Sequence, residues 1–123
     1  MATITPAIIA VFFLGMGGYA LAAPQTMLLP FGIRADNPNA RSEIRAVYGG
    51  FGLAIAAILI VAATHTGELR TGILLTVAAA LTGMAVGRII AAVLGDRTAF
   101  YPNWFYCLVE AAAAAALFVA AAA

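Results

Sequence analysis

The sequence predicts an all-α integral membrane protein, a four-helix antiparallel bundle. Of 123 residues, 65% are hydrophobic and 9% charged, against about 25% charged in a typical soluble domain. Mean hydropathy is +1.06. The apolar residues also fall into four runs of bilayer length, since a hydrocarbon core of about 30 Å needs roughly 20 residues of helix. A chain this short holds one domain, here the whole of 1–123.

The first helix is predicted over residues 6–23, with Thr5 as its N-cap, Pro6 at the first helical position and Pro24 just beyond its end. The Ala20-Leu21-Ala22 triplet resembles a signal cleavage site, but no basic residue precedes the apolar run, so the segment is expected to be retained. The long connection that follows begins with Met27-Leu28-Leu29-Pro30-Phe31-Gly32-Ile33, apolar yet far too short to span. Bare backbone cannot face lipid. This piece therefore anchors in the membrane interface or folds over the bundle as a lid. Asp36-Asn37-Pro38-Asn39 is a solvent turn that launches the second helix, 42–64. A short break over 65–68 makes the second and third helices an antiparallel hairpin. The third helix covers 69–94, residues 95–103 make the second tight return, and the fourth helix covers 102–123.

Six arginines, no lysine and five acids leave a net charge of +1. That is too little for a nucleic-acid surface or a polybasic lipid patch. Cys107 is the sole cysteine, so it forms no intrachain disulfide or thiolate cluster, and its expected role is packing. His65 stands alone in a short loop. No carboxylate pair, HExxH spacing, nucleophile elbow or phosphate loop is present. The expectation is a protein without catalytic residues, metal or cofactor.

Two ionisable residues lie inside apolar segments, Arg88 in Met84-Ala85-Val86-Gly87-Arg88-Ile89-Ile90 and Glu110 ahead of an alanine run. With about 1.5 Å of rise per residue, both fall on the order of 9–12 Å inside the same membrane face. Each costs about 2.5–3.5 kcal/mol to insert alone at mid-helix, and such groups turn inward and pair. An Arg88–Glu110 ion pair is predicted. The second helix brings Glu43, Arg45 and Tyr48 to nearly the same level. At about 100° per residue, Glu43 and Arg45 point about 200° apart, so only one of them faces inward. Arg45 with Tyr48 makes one inward set, and Glu43 directed towards Arg88 is the competing geometry. Tyr106 and Asn103 complete the candidate cluster.

Close helix approach is expected at small residues: Gly83 and Gly87 on the third helix, Gly50 with Ala46 and Ala54 on the second, and Gly18 with Ala22 on the first. These faces serve packing within one bundle or association of several copies. Arg34, Arg41 and Arg97 share one side of the membrane, and the other side carries only Arg70. Positive-inside bias then places the first and third loops in the cytoplasm and both termini outside.

The string Ser42-Glu43-Ile44-Arg45-Ala46-Val47-Tyr48-Gly49-Gly50, with Gly87-Arg88 and Glu110 after it, resembles a family of small bacterial membrane proteins known as a domain of unknown function and broadly DoxX-like. The likeness covers nearly the whole chain, and Glu-x-Arg-Ala-x-Tyr-Gly-Gly is its most specific part. It implies four helices in a bacterial cytoplasmic membrane and no established activity.

Two functions fit these residues. One is a non-enzymatic accessory or structural subunit that packs against itself or a larger membrane complex, its polar cluster holding the last three helices in register. The other is a carrier or receptor for a lipid- or quinone-like amphiphile bound near Arg88 and Glu110. Proton or ion conduction fits poorly, because only Thr76 and Thr82 interrupt the apolar length of the third helix.

Overall fold

A computed structural model describes residues 3–123. Four helices in it are long and apolar enough to cross a membrane: α1 (Ile4–Ala22), α2 (Pro38–Thr64), α3 (Glu68–Val93) and α4 (Phe100–Ala122). No strand occurs among the described residues.

Helix α1 starts earlier than expected. Its N-cap position is Thr3, which makes no side-chain capping bond, and Thr5 lies within the first turn. Pro6 is tolerated there because a first-turn N–H has no intrahelical acceptor to lose. At the other end the Ala23 N–H donates to the Tyr19 carbonyl at 2.8 Å. Buried Pro24 then opens a single helical turn, Pro24–Met27, followed by a tight turn, Leu29–Phe31. This connection folds against the protein: Leu28 is buried with Ala20, Ala35 and Ile44, and Met27, Phe31 and Tyr48 pack around them.

Helix α2 begins at Pro38 instead of residue 42, because Asn37 caps it. Asn37 is extended, its Oδ1 accepts from the Ala40 N–H at 2.8 Å, and Pro38 takes the first helical position. The helix is not uniform. Arg45–Gly50 forms a wide π-helical turn, and the buried positions record it: Ile44, Gly49, Gly52, Ala56, Leu59 and Ala62. The step from Ile44 to Gly49 is longer than the three- and four-residue steps that follow. Helix α3 buries Arg70, Ile73, Leu74, Val77, Ala78, Leu81 and Ala85. Helix α4 opens with an irregular turn, Phe100–Trp104, in which Tyr101 is extended, and then buries Cys107, Glu110, Ala114, Leu117 and Ala120.

The most extensive helix contacts join α1 to α2 and α3 to α4; those between α2 and α3, and between α1 and α4, are sparser. The short turn between Thr64 and Glu68 thus links two hairpins and does not build the tightest one. One core receives side chains from all four helices, with Ile9, Leu59, Leu74 and Leu117 among them. The outer surface is also apolar, with Val11, Phe12, Leu75, Val93 and Val119 exposed.

The close approach of α1 and α2 depends on glycines other than those expected. A Cβ at Gly17 would sit 2.9 Å from both the Gly49 carbonyl oxygen and the Leu53 amide nitrogen, and one at Gly52 would sit 3.2 Å from the Gly17 Cα. Backbone meets backbone here, so no side chain fits without parting the helices. By contrast, a Cβ at Gly18, Gly83 or Gly87 would meet no atom within 4 Å, and one at Gly50 would meet only the Arg45 carbonyl oxygen at 3.8 Å. The expected packing role of Gly50, Gly83 and Gly87 within this bundle is therefore corrected. Gly50 is displaced from the contact face by the π turn, while Gly83 and Gly87 lie off the buried face of α3 defined by Leu81 and Ala85.

Candidate functional site

On α3 the inward face continues from Leu81 and Ala85 to Arg88; on α4 it runs from Cys107 to Glu110. The two helices are in register at this level, where the Cys107 thiol lies 3.7 Å from the Ala85 carbonyl. Arg88 and Glu110 therefore meet face to face. Nε and Nη2 of Arg88 donate to Oε1 and Oε2 of Glu110, each at 2.8 Å. This two-point fork is the strongest geometry open to a guanidinium and a carboxylate. Nη1 also donates to Asn103 Oδ1 at 3.1 Å. Asn103 comes from the irregular first turn of α4, so one arginine ties together the helix and the turn that begins it.

The environment is unequal on the two sides of the pair. The side chain of Glu110 is 7% exposed and that of Arg88 22%. The Phe31 ring lies over the guanidinium, 5.7 Å from its central carbon, within the range of an attractive cation–π contact. Phe31 also packs on Tyr106 at 5.6 Å between centroids, and Tyr106 meets Phe105 edge-on at 5.1 Å. Tyr101 extends the group, 5.7 Å from Phe105 and 6.3 Å from Tyr106. The connection after α1 thus supplies an aromatic cover for a charge pair held by α3 and α4.

Of the expected cluster, the structure brings Arg88, Glu110, Asn103 and Tyr106 together and leaves Glu43 and Arg45 outside. Glu43 is exposed, and the ion pair at this level is Arg88–Glu110. Arg45 crosses to α1 instead, where its Nε donates to the Leu21 carbonyl at 3.0 Å. That oxygen belongs to the last turn of α1 and lacks an intrahelical donor. Neither proposed inward set on α2 forms: the π turn Arg45–Gly50 breaks the three-residue spacing that would put Arg45 and Tyr48 on one face, and Glu43, in the regular helix ahead of it, is on the exposed side. Tyr48 packs under the first connection. The site thus holds two charges instead of four.

The sequence does not single out one contributor to the site, Phe31. Phe31 lies in the apolar connection, whose proline and glycine signal a non-spanning segment but give no direction for the ring. At the far end of α3, Arg70 is expected only as the one arginine on the opposite side of the membrane. It is buried, and its Nη1 donates to the Ala120 carbonyl at 3.2 Å.

These features define a class: all-helical proteins with four membrane-length apolar helices and an inward arginine–glutamate pair on the last two. The sequence profile of the family described as Domain of unknown function (DUF4345) matches residues 1–121, and the chain belongs to that family. No curated protein and no solved structure matches the chain.

Proposed function

We propose that this is a small, non-enzymatic protein of a bacterial cytoplasmic membrane, its four helices spanning the bilayer as an antiparallel bundle. It acts as an accessory or structural subunit, packing against itself or a larger membrane complex. Arg88, Glu110 and Asn103 hold the α3–α4 hairpin in register. The observation that carries this reading is the mutual satisfaction of the pair: both carboxylate oxygens of Glu110 accept from Arg88, Asn103 takes a third bond, and Phe31 covers the ring of charge. An amphiphile carrier at the same residues finds less support, because an anionic ligand would have to compete with Glu110 for a guanidinium already engaged at all three nitrogens.

The outward positions Gly83 and Gly87 support the association part of the reading. A Cβ at either would meet no atom within 4 Å, so a small-residue pair is left open there, of the kind on which another helix seats closely. The arginine distribution supports an orientation with the first and third loops in the cytoplasm and both termini outside. Arg70, in the first turn of α3, is turned inward, which leaves the opposite end of the bundle without an exposed arginine. A reporter enzyme that folds only outside the cytoplasm, fused after Ala123, is expected to be active.

The deciding experiment is a double-mutant cycle on the pair, read as thermal stability in mild detergent. Removing one partner of a buried pair costs about 3–5 kcal/mol, whereas replacing both by apolar groups is near neutral. Arg88→Leu and Glu110→Leu are each expected to destabilise the protein, and the double variant to restore it. Single variants that melt with the wild type would overturn the register role.

A further inference from the structure

We propose that the crevice at the arginine-rich end of α3, lined by Ile89, Ala92, Val93, Arg97, Thr98 and Trp104, binds one anionic glycerophospholipid. The proposal rests on the membrane-spanning reading above and is separate from the Arg88–Glu110 site. The crevice has a volume of about 440 Å³, and its two ends differ in chemistry. Arg97, Thr98 and Trp104 supply a guanidinium, a hydroxyl and an indole N–H, all donors to a phosphate oxygen. Ile89, Ala92 and Val93 lie on the helix that runs from there towards the membrane centre, Ile89 about 6 Å deeper than Val93. Val93 is 79% exposed, an apolar wall without protein cover. A charged donor group at headgroup level above a bare aliphatic strip matches a phosphodiester with an acyl chain below it.

Charge decides which lipid. Neither Asp nor Glu lines the crevice, so a phosphate finds a cation there while a choline or ethanolamine group finds no carboxylate. Arg97 and Arg34 are the arginines of this end whose side chains make no hydrogen bond or ion pair among the described residues, and of the two only Arg97 lines the crevice. At the same end of the protein, Arg41 donates to the Ala35 carbonyl, Arg45 to Leu21 and Arg88 to Glu110. The exposed Arg97 side chain makes no hydrogen bond or ion pair among the described residues, even with adjacent Asp96. A tryptophan at the rim suits the membrane–water boundary, where an indole keeps its ring in the apolar layer and its N–H in the polar one.

The test is native mass spectrometry of the full chain in mild detergent, titrated with phosphatidylglycerol, phosphatidylcholine of the same acyl chains, or inorganic phosphate. One phosphatidylglycerol is expected to bind in preference to phosphatidylcholine, and inorganic phosphate is expected not to compete. Arg97→Gln should weaken phosphatidylglycerol binding about fivefold, the worth of one basic residue at an anionic surface. Arg34→Gln removes an exposed charge from the same end outside the crevice and should leave binding unchanged. Equal binding of the two lipids, competition by inorganic phosphate, or equal losses from Arg97→Gln and Arg34→Gln would each overturn the site. An alkaline wash of membranes separates the two levels: a protein retained in the membrane but indifferent to Arg97 overturns only the lipid site, whereas a protein released by the wash overturns the spanning reading as well.

Discussion

Arg70 donates from Nη1 to the main-chain carbonyl of Ala120 at 3.2 Å, joining the first turn of α3 to the last turn of α4. Arg88 and Glu110 join the same helices near their connecting loop. The α3–α4 hairpin is therefore fastened at both ends by arginine, once through a carboxylate and once through backbone. The Ala120 carbonyl takes only a long main-chain bond, 3.4 Å from the Ala123 N–H, and the last carbonyls of a helix carry the negative end of its dipole, so a cation suits it.

Arg70→Leu is expected to cost about 2 kcal/mol, the scale of a hydrogen bond to a charged group. Hydrogen exchange should quicken in the last turn of α4 and stay unchanged around Glu110. Uniform acceleration along the whole helix would show that Arg70 does not act locally.

Gly17→Val should be among the most damaging single changes, because its added carbons meet the backbone of Gly49 and Leu53. Overpacking of this kind costs about 1–3 kcal/mol, and here the obstructing atoms are main chain, which places the expectation at the upper end. Gly83→Ala, where a Cβ meets no atom within 4 Å, should leave the stability of the monomer unchanged or raise it by up to about 1 kcal/mol, the helix-propensity gain of alanine over glycine. If Gly17→Val were tolerated and Gly83→Ala were not, the assignment of the two faces would be reversed.

Cys107 is buried beside Ala85 and so reports on separation of α3 from α4. N-ethylmaleimide should label it slowly in the native protein. Glu110→Leu, by removing about 3 kcal/mol from the hairpin, should raise the open population and the labelling rate about a hundredfold. Unchanged labelling would mean that the ion pair does not hold the helices together.

Phe31→Ala uncovers Arg88 and removes a cation–π contact worth about 1 kcal/mol. Phenylglyoxal modification, located by peptide mass mapping, is expected to accelerate at Arg88 and to stay constant at Arg34. Equal rates at Arg88 in the two proteins would mean that the ring gives no cover.

What was legible in the sequence follows from how strongly each residue was constrained. Arg88 and Glu110 stand alone in apolar runs, at matching depths on consecutive helices, and a lone charge in such a run has few places to go. Four apolar runs likewise allowed little choice of helix number. The placement of Arg45 relative to Tyr48 was not legible, because the segment that carries both, Arg45–Gly50, is wound more widely than 3.6 residues per turn. The contact glycines escaped for another reason. Gly17 sits beside Gly18 and Gly49 beside Gly50, so either phase yields a plausible row of small residues, and only the partner helix selects one. The start of α2 was set by the Asn37 side chain. The Asp36-Asn37-Pro38-Asn39 turn carried that signal, but the apolar run it precedes begins further on.

The division into two hairpins has a consequence for how the chain tolerates being cut. The tightest packing lies within residues 4–64 and within residues 68–122, and a few exposed positions from His65 to Gly67 bridge them. Severing the polypeptide there would leave both halves with their own fastenings, the Gly17–Gly49 approach in one and the two arginine links in the other. Such fragments, co-expressed from separate genes, should find each other through the shared core and the Phe31 contact, and purify as a stoichiometric pair.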